Sequence, residues 1–275
     1  MRRKNLSGAV RMNLHRIATV IDKEIHDALR NRYIVMLMIL LPILFAAIPI
    51  ISLASIRQIP PSGNFSEEWP PALARRLAGL PPQAQLEVFL ASQFMLLFWI
   101  APLAIPMTIA TYSVVGEKRE KALEPLLATP VTTGELLAGK AIAAASPGIA
   151  LSWAGYLLMV AAAYGIRLSP PALETLWGPT AWVQIFAMSP LITLLATLAG
   201  LIVSSRVNDP RLAEQIGMVV ILPLIGLILA QSFGILWLSG TLLGFITLFL
   251  IGVDALLIAL AVALFERETV LTRWR

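Results

Sequence analysis

The sequence predicts an all-α, polytopic membrane protein: six transmembrane helices preceded by an N-terminal interfacial amphipathic helix, as a single domain over residues 1–275. Three observations predict it. Of the 275 residues 58% are hydrophobic and only 13% charged, with a mean hydropathy of +0.80; soluble domains carry about 25% charged residues. Six apolar runs approach or exceed the ~20 residues that cross a ~30 Å hydrocarbon core at ~1.5 Å per residue. The basic residues gather in alternate gaps between those runs. A formal charge of +5 would by itself suit a nucleic-acid binder. Here the positive charges flank apolar runs, so the expected partner is membrane lipid and not nucleic acid. The chain has no cysteine, which excludes disulfides, thiolate chemistry and Cys-based metal sites.

The elements follow in order. Residues 10–32 place Leu14, Ile17, Ile21, Ile25 and Ala28 at steps of three and four, with Arg16, Lys23, Asp27 and Arg30 on other faces. Such a basic amphipathic helix just before a span lies in the headgroup plane. The alternative is a solvated leader that only sets topology. A cleavable signal peptide is not expected, because the polar lead is long and the next apolar run is of full span length. The first span is residues 33–53, with Pro42 and Pro49. Residues 54–88 form a polar, proline-rich outer loop with room for one short helix over 67–79. The second span is 89–112 (Pro102, Pro106) and the third 141–165 (Pro147). A link over 166–180 leads to the fourth, 181–203 (Pro190). A short charged loop over 204–215 precedes the fifth, 216–237 (Pro223), and 241–265 is the sixth. The join between the last two is so short that 231–240 reads alternatively as a re-entrant hairpin. Prolines in five of six spans read either as hinges or as the ordinary proline content of membrane helices.

Six spans put both termini on one side of the membrane. Seventeen of the 21 lysines and arginines lie on that side; only Arg57, Arg75, Arg76 and Arg167 lie on the other. The positive-inside rule makes the termini cytoplasmic, in a cell membrane crossed several times. Trp177, Trp182 and Trp237 fall where an outer aromatic belt would sit.

Most chemistry is excluded. The two histidines, His15 and His26, both lie in the N-terminal helix, so no His-dependent catalytic or metal site is available among the spans. Residues 134–140 read GELLAGK, but the next position is Ala141, where a phosphate-binding loop needs Ser or Thr. No strand precedes it. No catalytic residue and no bound cofactor are therefore expected, and ATP with its Mg²⁺ would belong to another chain. Thr132 and Glu135 form a capping box that starts a helix running into the third span.

The long polar segment over residues 113–140 organises the reading. Glu117, Lys118, Arg119, Glu120 and Glu124 mix with Leu123, Leu126 and Leu127, and Pro125 and Pro130 bracket a break. Taken alone, the charge run 117–121 is a solvated face. The adjoining leucines, too few to build a core, favour a docking helix for a separate soluble protein. Asp254 is the one ionisable residue well inside a span, where a carboxylate costs ~2.5–3.5 kcal/mol on insertion scales. It either lines a substrate route or is protonated or hydrogen-bonded and structural. Gly240 and Gly244 have the spacing of a close-packing surface.

At this segment the sequence resembles a known family. GEKREKALEPLLATPVTTGELLAGK, residues 116–140, is similar to the segment after the second span in permease subunits of type-two ABC exporters. The match runs through Gly116, Glu117, Lys118, Leu123, Glu124, Leu126, Leu127, Thr129, Pro130, Val131, Glu135, Gly139 and Lys140. KEIHDALRNR (23–32) resembles the family's interfacial elbow helix, NDPRLAEQIG (208–217) its second cytoplasmic loop, and LFERETVLTRWR (264–275) its C-terminal end. The resemblance implies a half-transporter that pairs with a second copy of itself or a paralogous permease, and with two copies of an ABC ATPase subunit. Those would grip residues 117–127 and, secondarily, the loop bearing Asp209, Arg211 and Glu214. Export of an apolar or amphipathic substrate is the expected activity. A stand-alone ion-coupled transporter would want more intramembrane charge or a repeat. A non-transporting scaffold that recruits an ATPase remains the other alternative, and a membrane enzyme lacks its nucleophile–base set.

Overall fold

A computed structural model describes residues 13–58, 69–119 and 131–265. The sequence expectations for 10–12, 59–68, 120–130 and 266–275 lie outside the described residues. Among those described, six helices are long and apolar enough to cross a membrane: Arg32–Ile56, Pro82–Arg119, Thr133–Gly165, Pro170–Arg206, Pro210–Ser232 and Gly240–Phe265. They are the first to sixth spans below. The N-terminal helix, Leu14–Arg30, precedes them, and a short helix, Pro71–Leu77, joins the first span to the second.

The helices are longer than the apolar runs, because capping and turn chemistry extend them into polar sequence. Asn31 breaks the chain between the N-terminal helix and the first span, and its side chain accepts from the amides of Tyr33 and Ile34. The second span begins at Pro82 and not at 89, and continues past 112 to Arg119. The third begins at Thr133, where the Thr132–Glu135 capping box is present. Residues 204–215 are not a loop: the fourth span ends at Arg206 and the fifth starts at Pro210. Pro210 opens that helix and Asp209 caps it, accepting from the amides of Arg211 and Leu212. The link over 166–180 contains two short proline-started helices, Pro170–Trp177 and Pro179–Trp182. Between the last two spans the chain turns without helix. Gly234 there has φ +67°, and a Cβ would meet the Leu73 backbone nitrogen at 3.1 Å, so both conformation and space call for glycine.

Two prolines act locally, and neighbours supply what they take away. Pro102 has no N–H for the carbonyl of Phe98, four residues earlier. The second span is non-helical between Leu97 and Ala101, and the Ser152 hydroxyl of the third span donates to that carbonyl at 3.2 Å. In the fourth span a π-helical turn, Val183–Ala187, precedes Pro190. Its carbonyls accept from two indoles: Trp99 Nε1 to Gln184 O at 2.9 Å and Trp153 Nε1 to Ile185 O at 3.2 Å. In lipid such freed carbonyls must find partners inside the protein.

The second span is the most buried and packs most extensively on the fourth; the third covers both, and the N-terminal helix lies on the third. The first and sixth spans are peripheral. Ile39, Ile43, Ile51, Phe245, Leu248 and Phe249 stand exposed on them, as suits a surface facing lipid or another chain. A Cβ on Gly244 would meet nothing within 4 Å, so the Gly240/Gly244 pair makes no close packing surface among the described residues.

Candidate functional site

Glu117, Lys118, Arg119, Asp209, Arg211 and Glu214 converge at the end of the bundle where the N-terminal helix meets the second and third spans. The N-terminal helix buries Ile17, Glu24 and Ala28, so its inward face centres on Glu24, with Leu14 left exposed. Close approach is secured by Gly139, where a Cβ would lie 2.6 Å from Val20 Cγ1. Next to it, Lys140 is 2% exposed and donates to Glu24 Oε1 at 2.7 Å and to Ser113 Oγ at 2.7 Å. Glu117 Oε2 stands 2.9 Å from the same ammonium, an ion pair without the alignment of a hydrogen bond. Lys23 closes the ring, 2.6 Å from Glu117 Oε1 and 3.2 Å from Glu24 Oε1.

Two lysines and two glutamates thus form a cluster uniting three helices, buried at Glu24, Glu117 and Lys140 and open at Lys23, which also meets the exposed Asp27 at 3.5 Å. Burial works against the Glu24 carboxylate, but the Lys140 ammonium and its hydrogen bond outweigh it and hold Glu24 below the usual carboxylate range. Burial likewise opposes the charge of Lys23, and the hydrogen bond and charge of Glu117 reverse that and hold it above the usual lysine range.

Around the cluster, further ties reach the fourth and fifth spans. Lys118 Nζ donates to the carbonyls of Ser204 and Ser205 at 2.7 Å and of Val207 at 3.2 Å. A cation there complements the fourth span's C-terminal dipole. Arg119 pairs with Asp209 at 3.0 Å on the surface. Hydrogen bonds to the backbone amides of Leu212 and Arg211, with Arg119 alongside, hold the Asp209 carboxyl below its usual range. Glu214 is buried, accepting from Thr108 at 2.6 Å and from Tyr33 at 3.3 Å. Exposed Arg211 joins Tyr33, Tyr112 and Glu214 in lining a cleft of about 540 Å³. At the start of the third span, Glu135 accepts from the amides of Asn13 and Thr132 at 2.7 and 2.8 Å.

Sequence reasoning grouped Glu117, Lys118, Arg119, Asp209, Arg211 and Glu214 by charge and resemblance. The structure brings all six to one end but separates their surroundings: Glu117 and Glu214 face inward, while Arg119, Asp209 and Arg211 are exposed. Glu120, Leu123, Glu124, Pro125, Leu126 and Leu127 lie outside the described residues. Asp254 is elsewhere, within the sixth span, 3% exposed and with both carboxylate oxygens lacking a hydrogen-bond partner among the described residues. Sequence reasoning missed Lys23 and Lys140 as the partners of Glu117, and Glu24 as the second carboxylate those lysines hold. The signal was present in part, since Glu24 is the acidic residue seven positions from Ile17 on the buried stripe, and Lys140 closes the family-like motif.

The comparison with family models matches residues 18–242 to the ABC-2 family transporter protein model. The chain belongs to that family. It is therefore a multi-pass membrane component of a transporter, in a family whose permeases work with ATPase partners. The match takes in the whole ion cluster, the turn at Asp209 and the first residues of the sixth span. No curated protein matches the chain significantly.

Proposed function

We propose that this ABC-2 permease is one half of an ATP-driven exporter in a cell membrane, with both termini cytoplasmic. A second copy, or a paralogous permease, completes the membrane pore. Two ATPase subunits, carrying the ATP and Mg²⁺, dock on residues 120–127 together with the exposed charges of Arg119, Asp209 and Arg211. The observation that carries the reading is the ion cluster. It binds the roots of the second and third spans, which flank the docking segment, to the N-terminal helix. Closure of the ATPases would then move three helices as one body rather than bending a loop. Glu117 acts here as a positioning residue inside the cluster, and Leu123, Leu126 and Leu127 supply the apolar contact. Asp254, buried without a hydrogen-bond partner among the described residues, lines the route of an apolar or amphipathic substrate.

The test is co-purification in mild detergent. Wild type should retain an ABC ATPase subunit, and the Leu123→Ala/Leu126→Ala/Leu127→Ala variant should lose it. Glu117→Gln should keep the ATPase but uncouple its hydrolysis from transport. Absence of any ATPase with wild type would sink the proposal.

A further inference from the structure

At the ion-cluster end, three spans change between apolar and polar sequence. The first begins its apolar run at Tyr33, the second ends its run at Tyr112 and the fifth begins at Ile216. Tyr33, Tyr112, Arg211, Glu214 and Met218 line the cleft of about 540 Å³ there, within the ~300–1,000 Å³ range of ligand sites. A cleft at the edge of the apolar zone lies at the depth of lipid headgroups, where tyrosines are enriched. The Tyr33 and Tyr112 rings stand 5.8 Å apart, tilted by 39°.

The two charges of this cleft are not spent on each other. Arg211 and Glu214 lie three residues apart on one helix, a spacing at which opposite charges commonly pair. Instead, Glu214 Oε1 accepts from Thr108 at 2.6 Å and from Tyr33 at 3.3 Å. The Arg211 guanidinium makes no hydrogen bond or ion pair among the described residues; Asp209 holds its backbone amide alone. The other carboxylate oxygen, Glu214 Oε2, takes no hydrogen bond among the described residues either, and it is not one of the atoms shut off from solvent. The cleft therefore presents a carboxylate oxygen that needs a donor and a guanidinium that needs an acceptor. A simple amine would satisfy the first and be repelled by the second; a simple phosphate would do the reverse. A group bearing both charges satisfies both. Phosphate matches the planar fork of arginine, and a primary ammonium brings N–H donors that a quaternary one lacks. The tyrosine faces also favour a cation. Exposed Met36 and Leu40 follow Tyr33 at three and seven residues on the first span, and exposed Leu222 follows Met218 one turn on in the fifth. They continue the cleft into the apolar zone as a surface for acyl chains.

We infer that this cleft binds a phosphoethanolamine group, its phosphate on Arg211 and its ammonium on Glu214 Oε2. A bilayer lipid and a free headgroup share this chemistry, and the experiment separates them. Arg211 is shared with the proposed ATPase dock, so binding is measured on the full-length permease alone, where loss of an ATPase cannot mimic loss of the ligand. The protein in detergent is titrated with phosphatidylethanolamine, phosphatidylcholine and phosphatidylglycerol of the same acyl chains, and with soluble glycerophosphoethanolamine. Bound molecules are counted by native mass spectrometry. Wild type should take one phosphatidylethanolamine per chain, about tenfold or more tighter than the other two lipids, since a charge-assisted hydrogen bond is at stake. Glycerophosphoethanolamine binding as tightly would assign the site to the free headgroup, and much weaker binding to the bilayer lipid. Glu214→Gln keeps an acceptor for Thr108 and Tyr33 but turns the open oxygen into a donor, so it should erase the preference without unfolding the protein. Arg211→Gln, an exposed change, should weaken phosphatidylethanolamine about tenfold. Equal affinities for the three lipids would mean annular lipid only, and overturn the inference. So would an unchanged preference in a folded Glu214→Gln protein. If that variant does not fold, Arg211→Gln decides, and an unaltered affinity there overturns the inference equally.

Discussion

The two ends of this bundle treat buried polarity in opposite ways. At the end holding the N-terminal helix, Lys140 has two carboxylates and a hydroxyl, Lys118 three carbonyls, Glu214 two hydroxyls and Glu135 two backbone amides. At the other end, Gln184, Gln231 and Ser169 leave side-chain oxygens buried and without hydrogen bonds among the described residues. Satisfied networks specify one geometry and hold it. Unsatisfied ones are tolerated where something else completes them. The first end is therefore held in one geometry by its polar groups, whereas the second keeps polar groups that no described residue satisfies.

The sharpest way to break the comparison is to unbalance the ion cluster. Lys140→Met leaves the buried Glu24 and Glu117 carboxylates to share the half-exposed Lys23. Removing one partner of a buried ion pair costs about 3–5 kcal/mol, so the variant should denature well before wild type in mild detergent. Adding Glu24→Gln and Glu117→Gln to Lys140→Met should recover most of that loss, since neutral replacements of whole buried pairs are often tolerated. A Lys140→Met protein with wild-type stability would show that the cluster holds nothing together.

A smaller and reversible version uses pH. The folded-state pKa of Glu24 lies below its usual 4.5, so its contribution is fully present above pH 4.5 and is lost as pH falls through the lowered value. Lys23 is raised above its usual 10.5, so its contribution is present below that value and fades only at higher pH. The cluster thus predicts stability that is flat between about pH 5 and 10, with an acid limb that Glu24→Gln shortens. A melting-temperature profile of the two proteins checks this. Identical acid limbs would remove Glu24 from the account.

Much of this architecture was legible in the sequence, and the illegible parts have physical causes. The six helices announce themselves because lipid leaves no other way to satisfy the backbone. The helices run beyond the apolar stretches because hydropathy sees apolar length and not caps: Asp209 with Pro210 makes a helix start where composition shows only charge. Glu117 illustrates the site. Its type and neighbours read as surface charge, and only the fold brings Lys23 and Lys140, 94 and 23 positions away by residue number, into contact with it. Gln184 gave no sequence signal, since a glutamine in an apolar run becomes notable only when its partners prove absent.

Between the two ends, the indole of Trp99 tests how firmly the π turn is held. Trp99→Phe removes the donor to the Gln184 carbonyl and some buried volume, at a cost of about 1–3 kcal/mol. That loss should appear as earlier unfolding in a detergent titration. If stability is unchanged, the turn does not depend on its tie to the second span.

The smallest expected effect is the most informative about the second end. Gln184→Met keeps length and flexibility while removing an amide that makes no hydrogen bond among the described residues. At the ion-cluster end, deleting a polar group of similar burial strips partners from its neighbours. Here it strips none, so the unliganded protein should change by no more than about 1 kcal/mol, with the sign toward greater stability. A gain in stability at Gln184 beside a large loss at Lys140, in the same denaturation assay, separates a polar residue the fold does not need from one that holds it together. A loss at Gln184 comparable to that at Lys140 would mean that both ends are framework, and the contrast between them would collapse.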